Sequence, residues 1–148
     1  MKRLQLRSKD LSEKLKEYSI TIDKKQQVEL IDEKIILLNH EPSFFYYEKK
    51  IIPTLKYLQK NNLLKKITID MGAIKFIING ADLMRPGITD FDQKIKKDDI
   101  ICIIDINNKK PIAVGIALFN APQMQLMTSG KVIKNIHYIG DDLWNFKP

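Results

Sequence analysis

The spacing of apolar residues in the first sixty positions predicts helices mixed with strands. Leu11, Leu15 and Tyr18 recur at i, i+4 and i+7 in LSEKLKEYS, which predicts a helix with its N-cap among residues 8–10. The segment QVELIDEKIILLNHE predicts two strands joined by a turn at IDEK, and SFFYYE predicts another strand. IIPTLKYLQKNNL predicts a helix with Pro53 in its first turn.

The pattern of apolar residues and glycines in the second half of the chain predicts strands around one short helix. In GAIKFIING, Gly80 suits the position just after a helix, and apolar residues follow helical spacing at Ile74, Ile77, Ile78 and Ala81. The unbroken apolar run DIICIIDI predicts a strand buried on both faces. PIAVGIALFN alternates bulky and small residues around Gly115, which suits a tightly curved sheet or small barrel. KITID, LMRPGI and KNIHYIGDDLW complete the predicted sheet.

The polar segment NNLLKK, residues 61–66, separates these two halves. A chain of 148 residues has room for one ordinary domain or two small ones. We therefore predict an α+β protein with an N-terminal domain of residues 1–65 and a second domain of residues 66–148.

The charge of the chain is positive and unevenly distributed. Lys and Arg total 25 against 18 Asp and Glu, a net of +7. Residues 1–66 hold 15 basic and 9 acidic residues, a net of +6, which leaves 10 and 9, a net of +1, for residues 67–148. This imbalance indicates a polyanion as partner, contacted mainly by the first half. The alternative is a solvated, lysine-rich surface.

The sequence contains none of the usual signatures of catalysis. Cys102 is the only cysteine, and the two histidines are far apart, so neither a disulfide nor a metal cluster is predicted. No nucleophile elbow, phosphate loop or dinucleotide fingerprint occurs. No apolar run has the length of a membrane span, and MKRLQLRSKD lacks the apolar core of a signal peptide. We therefore expect a cytoplasmic protein without cofactor, metal or catalytic residues.

The stretch GAIKFIINGADLMRPG, residues 72–87, combines glycines with cations. Gly72 and Gly80 remove side chains at both ends of the predicted helix, which lets a ligand backbone approach the helix-start N–H groups. Lys75 and Arg85 are predicted to be exposed and able to contact phosphate. The alternative interpretation is a capped helix followed by a turn at Pro86.

The same stretch and its continuation resemble a PUA domain, the RNA-binding module of pseudouridine synthases and archaeosine transglycosylases. The pattern of D-x-G-A, a helix with a second Gly-Ala, P-G-I, an acidic turn and a strand with a central glycine is matched by Asp70, Gly72, Ala73, Gly80, Ala81, Pro86, Gly87, Ile88, Asp98, Asp99 and Gly115. Together with IPTLKYLQKNNL and NIHYIGDDLW, the chain resembles the malignant T-cell-amplified sequence family. That resemblance implies a pre-PUA domain followed by a PUA β pseudo-barrel with short helices.

The resemblance also implies the residues that face RNA. Carried over by position, they lie on the helix, the following strand and the closing strand: Gly72, Ala73, Lys75, Phe76, Gly80, Arg85, Pro86, Gly87 and, more weakly, His137 and Tyr138. Phe76 occupies the same helix, but its position favours a place in the core.

The family acts in translation, and the resemblance implies non-catalytic binding of the tRNA acceptor end and the rRNA of the small ribosomal subunit, in initiation or recycling. Eukaryotic members pair with a SUI-domain translation factor, the density-regulated protein; the short chain here indicates an archaeal member. Two alternatives stay open at this point. One is an RNA-targeting subunit of a tRNA or rRNA modification enzyme, and the other is an RNA-modifying enzyme itself.

Overall fold

The computed structural model describes residues 1–148, which divide into two units. The first unit comprises residues 1–61 with 146–148, and the second comprises residues 62–145. Each unit is built on its own β-sheet with short helices, so the predicted α+β class is confirmed.

The first unit is a five-stranded antiparallel meander in which each strand pairs with the next. Its elements are β1 (Arg3–Leu6), α1 (Ser8–Lys14), β2 (Val28–Ile31), β3 (Ile35–Leu38), β4 (Glu41–Tyr47), β5 (Lys50–Pro53) and α2 (Leu55–Lys60). The predicted helix in LSEKLKEYS and the hairpin at IDEK are confirmed. The helix already begins at Ser8, so its N-cap is Arg7, without a side-chain cap, and not one of residues 8–10 as predicted. Leu11 and Leu15 are fully buried, and Asp32 and Glu33 take positive φ in the turn between β2 and β3.

Pro53 does not start a helix, which corrects the sequence prediction. It ends β5, where it pairs with Phe44 of β4. The helix α2 begins two residues later, with Thr54 as its N-cap: the Thr54 hydroxyl accepts a hydrogen bond from the Tyr57 N–H at 3.2 Å. Thr54 therefore supplies the start signal that the sequence analysis assigned to proline.

The second unit is a six-stranded mixed sheet in the order β7-β11-β10-β9-β6-β8. Its elements are β6 (Lys65–Ile69), α3 (Met71–Ile77), β7 (Leu83–Met84), β8 (Ile88–Phe91), β9 (Ile100–Asp105), β10 (Pro111–Ala117), α4 (Ala121–Leu126) and β11 (Lys131–Tyr138). The pairing of β6 with β9 is parallel, and the other pairs are antiparallel. All residues of β9 are buried, as its unbroken apolar run predicts.

The glycine in the centre of β10 allows the sheet to pack closely. A Cβ built on Gly115 would overlap Ile133 Cγ2 and would lie 2.9 Å from the Lys134 carbonyl oxygen. Gly115 also lies at a β-bulge between β10 and β11. A side chain is therefore excluded here by neighbours on β11, one of them main chain.

Candidate nucleic-acid interface

A cleft of about 600 Å³ opens on the second unit between α3 and residues 81–87. Its walls are mostly apolar, and they include Gly72, Ala73, Phe76, Met84, Pro86 and Gly87. Four of these residues, Gly72, Ala73, Pro86 and Gly87, are among the RNA-facing positions predicted from the sequence. The structure thus places residues 72–76 of α3 opposite residues 81–87, which follow the end of this helix.

Phe76 lies on this cleft with 57% of its surface exposed, so its predicted place in the core is wrong. The core-facing side of α3 is taken by Ile77, which is 1% exposed. Since successive helical residues project about 100° apart, Phe76 points well away from that side. Met84, 49% exposed, also lines the cleft. An exposed aromatic ring beside an apolar cleft is a surface on which a nucleic-acid base can stack.

Lys75 is exposed, as predicted, and lies beside the aromatic ring. Its Nζ is 5.2 Å from the centroid of the Phe76 ring, and it has no carboxylate within 4.0 Å. A cation in this position can contact the phosphate of a nucleotide whose base stacks on the ring.

The start of α3 is already occupied by a carboxylate. Asp70 is the N-cap, and its Oδ1 accepts a hydrogen bond from the Ala73 N–H at 2.9 Å. The Asp70 N–H donates to the Gly87 carbonyl at 3.1 Å, which connects the start of α3 to the turn after β7. A negative side chain at the helix start opposes a phosphate there, so the expected phosphate contact with the helix-start N–H groups is not supported.

The packing of the protein requires a glycine at position 87 but not at position 72. A Cβ on Gly87 would lie 3.0 Å from the Ala73 Cβ, so the close approach of the turn to α3 needs a glycine. A Cβ on Gly72 would meet only the Asp70 Oδ1, at 3.4 Å, and the φ of Gly72 is not positive. Neither packing nor backbone conformation therefore requires a glycine at position 72.

Gly80 has a structural role at the end of α3. Its φ is +92°, its N–H donates to the Ile77 carbonyl at 3.0 Å, and the Ala81 N–H donates to the Phe76 carbonyl at 3.0 Å. These two bonds form a Schellman motif, in agreement with the predicted position of Gly80 just after the helix. A Cβ at this position would also lie 3.1 Å from the Tyr138 hydroxyl.

Arg85 is partly buried rather than exposed, which corrects the sequence prediction. Its Nε donates to the Met124 carbonyl at 2.7 Å, and its Cζ lies 5.4 Å from the centroid of the Phe91 ring. Arg85 therefore joins the turn after β7 to α4 and is not among the residues that line the cleft.

His137 is buried, with 1% of its surface exposed, so the structure does not place its ring on an RNA-facing surface. Its Nδ1 lies 2.8 Å from the Asp141 Oδ2. Asp141 also accepts hydrogen bonds from the N–H groups of Tyr138 and Trp144. Burial opposes the charge of Asp141, but these bonds and His137 outweigh it and hold the pKa of the carboxyl below its usual value.

Asn135 holds the cleft in shape, and the sequence analysis did not identify it. Its Nδ2 donates to the Ile77 and Ala81 carbonyls, both at 3.0 Å, and its N–H donates to the Asp82 Oδ1 at 2.8 Å. Lys131 completes the arrangement, with its Nζ 2.9 Å from the Asp82 Oδ2. The three residues that Asn135 bonds, Ile77, Ala81 and Asp82, lie more than fifty positions away along the chain, so no local pattern in the sequence indicates these bonds.

Metal ligands and the single cysteine, Cys102, are the other candidates for site chemistry. No group of three or more His, Cys, Asp or Glu side chains is placed to hold a metal ion. Burial raises the pKa of the Cys102 thiol to about 12, so it is protonated near neutral pH. None of the helices combines the length and hydrophobicity that crossing a membrane requires.

Two family models cover most of the chain. Residues 65–139 match the PUA domain, and residues 5–61 match a domain of unknown function, DUF1947. Among solved structures, a hypothetical protein from Pyrococcus horikoshii superimposes with a TM-score of 0.83 at 30% identity, covering 97% of this chain and 98% of that one. A conserved PUA domain protein from Thermoplasma acidophilum gives 0.83 at 28% identity, over 99% and 100% of the two chains.

Curated relatives occur in archaea and eukaryotes. An uncharacterised protein of Methanocaldococcus jannaschii is 47% identical over 99% of this chain and 97% of its own length. Translation machinery-associated protein 20 of Saccharomyces cerevisiae is 32% identical over 84% and 75% of the two chains. Malignant T-cell-amplified sequence 1 of Danio rerio is 33% identical over 77% and 66%. The chain therefore belongs to the PUA-domain proteins, carries a PUA RNA-binding domain behind a DUF1947 region, and is homologous to the malignant T-cell-amplified sequence family.

Proposed function

We propose that this protein binds RNA without catalysis and acts in translation, where it holds the acceptor end of tRNA on the small ribosomal subunit during initiation or recycling. The observation that carries the proposal is the exposed Phe76 ring on an apolar cleft of about 600 Å³. The name of the yeast relative, translation machinery-associated protein 20, supports a role in translation.

The geometry favours a short unpaired segment over a long duplex. The volume of the cleft is within the range of about 300–1,000 Å³ that is typical of sites for small ligands, so it can hold one or two nucleotides. Proteins that read single-stranded RNA stack unpaired bases on aromatic rings and hold the backbone with cations. Phe76 provides an aromatic ring of this kind, and Lys75 provides a cation. The single-stranded 3′ tail of tRNA is an RNA end of this form.

The proposed RNA surface keeps most of the residues predicted from the sequence. Gly72, Ala73, Pro86 and Gly87 form the walls, Lys75 would contact the phosphate, and Phe76 is the stacking platform. Gly80 and Arg85 act by holding the backbone in place, and His137 is left out because it is buried.

The proposal also covers the bounds of the two domains, the location of the protein in the cell and its protein partner. Residues 1–65 would form the pre-PUA domain and residues 66–148 the PUA domain of a cytoplasmic protein. A SUI-domain translation factor is the proposed protein partner, by analogy with the eukaryotic family.

The target is tested by competition between forms of tRNA. We expect a transcript without its 3′ tail to compete for the protein at least ten-fold less well than the intact transcript. A transcript with a rearranged but fully paired acceptor stem should compete nearly as well as the intact one, because the cleft reads the tail. Equal competition by trimmed and intact tRNA would reject the acceptor end as the target.

The substitution Gly72→Ala is expected to weaken tRNA binding several-fold without lowering thermal stability. The added methyl fits beside Asp70, and alanine is the better helix former, so the fold loses nothing. Gly72 also lines the cleft, and a base or ribose bound there would have to move away from the new side chain. Unchanged affinity in a titration with labelled tRNA would show that the RNA does not approach the start of α3.

A further inference from the structure

The first unit has a concave surface of its own, which we call the basic concavity. Its volume is about 490 Å³, and the side chains relevant here are Gln5, Arg7, Lys9, Lys24, Gln26 and Gln27. The lining includes three cations and no acidic residue. It contains no aromatic residue either, in contrast to the cleft with Phe76.

Strand pairing fixes the position of these residues. β1 runs antiparallel to β2, with Gln5 opposite Glu29 and Leu6 opposite Val28, so residues 5–9 lie beside residues 24–28. The loop before β2 is held by its own hydrogen bonds: the Gln26 N–H donates to the Asp23 carbonyl at 3.0 Å, and the Gln27 N–H donates to the Asn39 Oδ1 at 2.9 Å. The cations therefore project from a defined backbone.

The three cations of the basic concavity form no strong ion pair within the protein. Neither Lys9 nor Lys24 has a carboxylate within 4.0 Å. The Nε of Arg7 lies 3.9 Å from the Asp10 Oδ2, but both side chains are well exposed, and such pairs contribute little. Three cations thus line a surface that can attract a polyanion, and binding would not have to break a strong ion pair within the protein.

Another concavity of the first unit provides a contrast. It has a similar volume, about 540 Å³, and is lined by three cations, Lys14, Lys49 and Lys50, together with two glutamates. Lys50 pairs with Glu17 at 3.7 Å, and the Lys14 Nζ lies 3.3 Å from the Tyr46 hydroxyl oxygen. Acidic residues offset the cations there, which makes this surface a matched control.

We propose that the basic concavity is a second RNA site, which binds the phosphodiester backbone without reading sequence. Lys9, Lys24 and Arg7 would neutralise phosphates, and the glutamine amides would donate hydrogen bonds to phosphate or ribose oxygens. The absence of an aromatic platform and the open shape favour backbone contact over base recognition. This inference rests on the proposed function, because it places a second contact on the same RNA-binding protein.

The test measures tRNA affinity of the full-length chain over a range of salt concentrations. The double variant Lys9→Ala/Lys24→Ala is expected to reduce the slope of log K against log salt by about 1.4 to 1.8, the effect of two lost phosphate contacts. The control variant Lys14→Ala/Lys50→Ala removes the same net charge and should reduce the slope by about half that amount or less. Lys9→Arg/Lys24→Arg should keep the wild-type slope.

Different outcomes separate this inference from the proposed function. Equal slope losses in the two alanine pairs, or no loss in either, would overturn the second site while leaving RNA binding intact. A wild-type chain that binds no tRNA would overturn both. A selective loss in the Lys9/Lys24 pair supports the second site even if trimmed and intact tRNA compete equally.

Discussion

Replacing Phe76 by alanine is expected to lower the affinity for tRNA by about one to two orders of magnitude without reducing the stability of the fold. Stacking of one base on an aromatic ring contributes about 1–3 kcal/mol, and about 1.4 kcal/mol corresponds to a factor of ten. The ring is 57% exposed, so its loss leaves no cavity in the core. Titration of labelled tRNA and a thermal melt of the same variant measure the two effects.

Leu126→Ala is the matched control for this experiment. Leu126 is 86% exposed on α4 and does not line the cleft, so its replacement removes exposed apolar surface without removing the stacking platform. Phe76→Trp should retain most of the affinity, because any large aromatic ring can stack. A similar loss in the Leu126 variant, or none in the Phe76 variant, would mean that the RNA contacts another part of the protein.

Gly115→Ala is expected to have the largest effect on stability among substitutions of a single methyl group. The new Cβ would overlap Ile133 and lie 2.9 Å from the Lys134 carbonyl oxygen, which belongs to the main chain of β11 and cannot rotate away. Overpacking of this kind costs about 1–3 kcal/mol or more. For a domain of this size each kcal/mol lowers the melting temperature by roughly 4–8 °C.

Gly72→Ala makes the same chemical change at a position with space. The melting temperature of the Gly72 variant should equal or exceed that of the wild type, because only the Asp70 carboxylate, at 3.4 Å, is close to the added methyl. Differential scanning calorimetry on both variants gives the comparison. A Gly115 variant that melts within about 2 °C of the wild type would show that β10 and β11 separate easily.

Several elements could be predicted from the sequence because their signals are local. The unbroken run in β9 indicates a strand buried on both faces, and the Gly80 that ends α3 forms its bonds with residues only a few positions away. The composition of this run and the glycine pattern also carry the resemblance to PUA domains, which the family models confirm. The resemblance also predicts four residues that line the cleft, Gly72, Ala73, Pro86 and Gly87.

The errors concern partners that are distant in sequence. α3 has more apolar residues than its narrow core-facing side can hold. Helical spacing places Ile77 inside, but only the packed structure shows that Phe76 is outside. Arg85 finds a carbonyl on α4, thirty-nine residues away, so its partial burial has no local signal. The other two buried residues of β11, Val132 and Ile133, are apolar, so nothing local indicates that His137 is buried. Its partner in the interior is Asp141, which lies beyond the end of that strand.

The central claim is that the cleft beside Phe76 receives the 3′ tail of tRNA, and a double-mutant cycle tests it most directly. Affinities are measured for the wild type and Phe76→Ala, each with intact and tail-trimmed tRNA. If the ring contacts the tail, the substitution weakens binding to intact tRNA by at least ten-fold and has almost no effect on trimmed tRNA. If the substitution weakens binding to both RNAs by the same factor, the ring and the tail act independently, and the account is contradicted.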